Sequence, residues 1–130
     1  MSSTFIAIGA LLAAASVGLG AFAAHGLKTL VEQGQFTAKN LDTFQTAVHY
    51  QMIHALGMIL IGLLAAARPS FLLDAAGWTM LLGILVFSGF LYAYVATGMK
   101  FFAMLVPIGG LAFIVAWLGV ATAAILGKIN

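Results

Sequence analysis

The side chains able to do chemistry gather in one short run, QTAVHYQMIH at residues 45–54, which supplies two glutamines, two histidines and a tyrosine. Imidazole and phenol groups transfer protons, and together with carboxamides they hydrogen-bond to solutes or to one another. The run occupies the first half of residues 43–67, a stretch long and apolar enough to cross a bilayer. Hydrocarbon offers no hydrogen bonds, so polar groups at that depth are expected to face other helices or a wet cavity. His54 falls about 16 Å along the helix from Thr43, near the bilayer midplane. His25 closes the first apolar run, and Ser88 and Tyr92 lie toward the far end of the third. The candidate polar cluster is therefore His25, Gln45, His49, Tyr50, Gln51, His54, Ser88 and Tyr92.

What this set lacks narrows the chemistry. Cysteine is absent, which removes disulfides, thiolate metal sites and cysteine nucleophiles. No carboxylate lies inside an apolar run, and the sequence has no nucleophile–base–orienter set, metal-ligand spacing or phosphate-cradling loop. His49 and His54 are five residues apart, about 140° around a helix, so one helix cannot present both to one iron. A haem would need His25 as the second ligand. The expectation is a protein with no catalytic residues, no metal and no cofactor. Its alternative role is binding or translocation of a small molecule or ion through a polar pocket around His54.

The elements that must position these groups follow from composition. The chain is 64% hydrophobic and 6% charged, with a mean hydropathy of +1.17, far outside the range of soluble domains. Four apolar spans are predicted at about residues 4–25, 43–67, 75–97 and 101–126, against ~20 residues needed per crossing. They fill nearly the whole chain, so the fold class is a four-helix transmembrane bundle forming one integral membrane domain. The bilayer is the obligatory partner, with another membrane protein or a homo-oligomer as the further possibility. The net charge of +2 comes from short loops and implies no nucleic-acid binding.

In the first span, Gly9/Ala13 and Ala14/Gly18 are small-xxx-small pairs suited to close helix packing. The uncharged start MSST and the length of the apolar run favour a retained span over a cleaved signal peptide. Gly26 is expected as a left-handed helix end, with His25 capping there and a short amphipathic turn following at Leu27 to Val31. Gly34 should end that turn, Thr37 or Asn40 should cap the second helix, and Pro69 should stop it. Gly98 and Met99 make a tight turn between spans three and four.

On a wheel, Thr43, Ala47, Tyr50, His54, Gly57 and Ile61 share one face of the second span, and Gln45, His49, Met52 and Leu56 the opposite one. Two polar faces predict that the half from Gln45 to His54 is enclosed and that only the half from Met58 to Ala67 touches lipid. In the fourth span, Pro107, Gly109 and Gly110 predict a helix kink, because Pro107 removes one backbone bond. SVGLGAFAAHGLK at residues 16–28 matches SGFLYAYVATGMK at residues 88–100 in Ser, Leu, Ala, Ala, Gly and Lys, which would make the bundle two repeated helical hairpins. Orientation is undetermined. Arg68, Lys128 and the α-amine fall on one side and Lys28, Lys39 and Lys100 on the other.

Four ordered motifs span nearly the whole chain: GAFAAHGL at 20–27, TAVHYQMIHAL at 46–56, FSGFLY at 87–92 and PIGGLAFIVAW at 107–117. Together they resemble the transmembrane protein 256 family, also known as the domain of unknown function 423 family. Departures are Ala23 and Ala116 in place of expected glycines and Phe90 in place of a small residue. The resemblance implies a small four-span protein of the bacterial plasma membrane, a family with eukaryotic relatives and no assigned biochemical activity.

Overall fold

The computed structural model describes residues 1–129, and they form four long apolar helices packed as a bundle. They are α1 (Ser2–Glu32), α2 (Ala38–Ala67), α3 (Phe71–Thr97) and α4 (Lys100–Ile125). Each exceeds the ~20 residues a bilayer crossing requires. Short connections make neighbours antiparallel.

The helix ends follow from local chemistry. Gly34 takes φ +79°, and its N–H and that of Gln35 donate to the carbonyls of Val31 and Leu30 at 3.0 and 2.9 Å, ending α1. Thr37 then caps α2 reciprocally. Its Oγ1 accepts from the Asn40 N–H at 3.1 Å, while Asn40 Oδ1 accepts from the Thr37 N–H at 3.0 Å. Thr37→Ala is expected to lower stability by about 1 kcal/mol, read as a fall in thermal midpoint in detergent. Arg68 is extended ahead of Pro69, which ends α2. Gly98, at φ +70°, donates its N–H to the Tyr94 carbonyl at 2.8 Å and reverses the chain into α4.

Two expectations at the first span are corrected. Gly26 is not a left-handed end: α1 passes through it as a π-helical turn, Ala23–Leu27, and runs on to Glu32. The extra residue of a π turn is absorbed without breaking the helix, so His25 caps nothing and is exposed. The stretches matched as a repeat accordingly diverge. Ser16 and Ser88 are both buried, but Gly26 is helical where Gly98 is left-handed. A second π turn, Leu85–Gly89, interrupts α3, and α4 is continuous through Pro107.

Size, not polarity, dictates how the helices meet. A Cβ on Gly9 would lie 2.7 Å from the Ala55 carbonyl, and one on Gly62 would lie 2.8 Å from the Ser2 carbonyl, so glycines set the α1–α2 approach. Gly18 and Ala14 of the other small pair lie on the outside, and nothing stands within 4 Å of a Cβ at Gly18. On the other side, Gly83 lies under the Phe113 ring, and Gly109 lies against the backbone of Phe87, joining α4 to the π turn of α3. The main core, with Phe5, Met58, Ile61, Leu73, Met80 and Phe113, fills the end nearer the N-terminus. Ala23, Leu27, Phe44 and Val95 form a smaller core at the opposite end.

Helix α2 is central. Of its most apolar stretch 44% is buried, against 17, 28 and 17% for α1, α3 and α4. The division of α2 into an enclosed half and a lipid-facing half is nevertheless overturned. Its buried face runs the full length, from Phe44, Ala47 and Gln51 through Ala55 and Met58 to Ile61, Gly62 and Ala65, while Gln45, His49 and Leu56 are exposed. Burial follows the 3.6-residue period of the helix, so it divides α2 by face.

Candidate functional site

The buried face of α2 presents Gln51, whose carboxamide is the hub of the interior polar contacts. Its Nε2 donates to the Leu12 carbonyl of α1 at 2.9 Å, and its Oε1 accepts from the Tyr92 hydroxyl of α3 at 2.8 Å. One side chain thus ties three helices. A turn away, Ser88 Oγ, placed by the π turn of α3, donates to the Ala47 carbonyl of α2 at 2.7 Å. Ser16 of α1 donates to the same Leu12 carbonyl at 2.9 Å. Among the described residues no buried side-chain nitrogen or oxygen lacks a partner.

His54 lies beside this seam in an aromatic stack. Its Nδ1 meets the Tyr50 carbonyl at 2.7 Å, and because a carbonyl only accepts, Nδ1 carries the proton there. The ring lies flat on Phe113 with centroids 3.5 Å apart and 12° between planes, and Trp117 is 6.1 Å away. Tyr50 packs on Phe87 at 4.5 Å. Gly57 makes room for this stack, since a Cβ there would lie 3.1 Å from Trp117 and 3.2 Å from Met80.

Of the residues singled out in the sequence, Gln51, Ser88 and Tyr92 meet between α1, α2 and α3, while Tyr50, itself partly exposed, and His54 pack on Phe87 of α3 and Phe113 of α4. His25, Gln45 and His49 do neither. His25 is exposed on the π turn of α1, and Gln45 and His49 are exposed on the outer face of α2. Gly109 and Gly110 reach the site through Phe87, whose backbone meets Gly109 and whose ring lies 3.8 Å from where a Cβ on Gly110 would stand, while Pro107 lies within the continuous α4. Sequence reasoning missed Phe113, Phe87 and the Leu12 carbonyl. Phe113 and Trp117 are spaced i,i+4 on α4 and were legible as a pair on one helix face, but nothing in the sequence shows that the face meets His54.

A cavity of about 160 Å³ sits where the ends of α1 and α3 meet the start of α2, lined by Phe22, Leu30, Phe36, Phe44, Tyr92 and Val95. Its walls are apolar, and the hydroxyl of Tyr92, its one polar-tipped lining residue, bonds to Gln51. Among the described residues no three His, Asp or Glu side chains are placed to hold a metal ion.

Four membrane-length helices packed as a bundle, three of them tied by the Gln51 carboxamide, define a polytopic integral membrane bundle. The chain belongs to the family described as "Protein of unknown function (DUF423)", whose model matches residues 19–110. It is 43% identical over 114 residues to a UPF0382 membrane protein of Staphylococcus haemolyticus, covering 88% of each chain. It is 40% identical over 122 residues to the UPF0382 membrane protein YwdK of Bacillus subtilis, covering 93% of this chain and 95% of that one. No solved structure matches it. Its relatives are bacterial membrane proteins, and the family carries no known function.

Proposed function

We propose that this chain is a non-catalytic membrane protein that works by associating with other membrane-spanning helices. The observation that carries the reading is the use made of Gln51: both ends of its carboxamide bond to neighbouring helices of the same chain. Ser88 does likewise. Interior polar groups spent on helix contacts hold a scaffold together and leave its outer surface as the working part.

The second reading, passage of an ion or small solute at His54, draws on the depth of that residue and on the neighbouring π turn, a feature common at functional sites. The geometry favours it less, because Phe113 covers one face of the imidazole at 3.5 Å. Proteoliposomes loaded with a pH-sensitive dye separate the two. The expected result is proton flux equal to that of protein-free vesicles, for both the wild type and His54→Phe, a substitution that keeps the stack on Phe113. A flux present in the wild type and lost in His54→Phe would move the assignment to transport.

A further inference from the structure

We propose that the outer face of α2 is a pairing surface for a second copy of this chain inserted in the same orientation, an inference that rests on the association reading above. Thr46, His49, Ile53, Leu56, Leu60 and Leu63 are all exposed, and they follow one another in alternating steps of three and four residues. That spacing is the seam of a left-handed helix pair, the commonest packing in membrane bundles. Most of this face would sit equally well in lipid. His49 would not.

His49 lies about 10 Å along α2 from Asp42, inside the apolar part of the helix. No described residue hydrogen-bonds to its ring, and its one aromatic neighbour is Tyr50, edge-on with centroids 6.2 Å apart. An imidazole with both nitrogens facing hydrocarbon is costly, and a partner helix removes the cost. A second copy supplies the right chemistry, because a neutral imidazole offers one donor and one acceptor and so complements itself across a two-fold axis. The neighbouring Gln45 carboxamide is self-complementary in the same sense, while the Thr46 hydroxyl donates to the Asp42 carbonyl of α2 at 3.0 Å and offers the seam an acceptor. Parallel insertion brings His49 opposite His49 at one depth. Antiparallel insertion would set it against the leucines near the other end of α2. No formal charge lies between Asp42 and Arg68, so like charges do not repel across the seam. A single polar seam position also fixes register, as buried polar residues do in coiled coils.

The absence of native cysteine makes the test direct. The full chain is reconstituted in vesicles of phosphatidylethanolamine and phosphatidylglycerol as Leu56→Cys or Leu60→Cys, with Leu11→Cys on α1 and Met104→Cys on α4 as exposed controls. Copper-phenanthroline oxidation should cross-link the two α2 variants at least about fivefold more than the controls, because a disulfide needs Cα atoms within about 7 Å. Adding His49→Leu should remove most of that excess, and His49→Gln, whose carboxamide is also self-complementary, should retain it. Equal cross-linking on all faces, or an excess indifferent to His49→Leu, overturns the proposal. Co-purification of a different membrane protein from native membranes, with no self-cross-linking through α2, overturns the pairing and leaves the association reading standing. A chain that is alone by both measures overturns both.

Discussion

Gly109→Ala is expected to destabilise the bundle by about 2–3 kcal/mol, although alanine is the better helix former by about 1 kcal/mol. A Cβ at Gly109 would fall against the N and Cα atoms of Phe87, and the clash cannot be relieved by turning a side chain because those atoms are backbone. Helix α4 would have to back away from the π turn of α3, loosening the contacts of Phe87 with Tyr50 and of Phe113 with His54. Gly18→Ala is the matched control. Nothing stands within 4 Å of a Cβ there, so only the gain in helix propensity remains and stability should hold or rise slightly. Reversible unfolding of both variants in bicelles checks the pair. Equal effects at the two positions would mean that α3 and α4 do not approach as closely as described.

The second large effect is expected at Gln51. Gln51→Leu keeps the volume and removes both bonds, and it leaves the Tyr92 hydroxyl without its acceptor. The Leu12 carbonyl keeps its bond from Ser16, so the loss falls mainly on the α2–α3 contact. The expected cost is about 1–3 kcal/mol, the range for stranding one buried polar group. Tyr92→Phe isolates the pair. A double-mutant cycle should return a coupling of about 0.6–1.7 kcal/mol, as for other hydrogen bonds between membrane helices. A coupling of zero would mean that the Tyr92 hydroxyl finds another partner and that Gln51 does not join the helices.

Much of the fold is legible in the sequence because its punctuation is strong. Pro69 and the left-handed Gly34 and Gly98 stop helices wherever they occur, and Thr37 with Asn40 spells a cap. The membership of Gln51, Tyr92 and Ser88 in an interior polar set is legible too, since carboxamide and hydroxyl groups deep in apolar spans have nowhere else to bond. The faces of α2 were not. In a soluble helix the buried face is the apolar one, but here lipid and protein interior are equally apolar, and the packed face is distinguished by small volume. Gly57, Gly62 and Ala65 therefore turn inward, while His49 and Gln45, judged by polarity to be enclosed, turn outward. The π turn at Ala23–Leu27 was hidden for a related reason. Gly26 reads as a helix end, yet lacking a Cβ it lets the Phe22 ring lie across the turn, 2.8 Å from where that Cβ would stand.

The central claim, a scaffold that acts through its outer surface, is tested most directly by native mass spectrometry of the full chain released gently with lipid from its own membrane. The predicted result is an assembly containing at least one further membrane-protein chain, a second copy or another protein, with no stoichiometric small molecule bound. A lone chain carrying a reproducible small molecule, lost in His54→Phe, would contradict it and assign the function to the interior of the bundle.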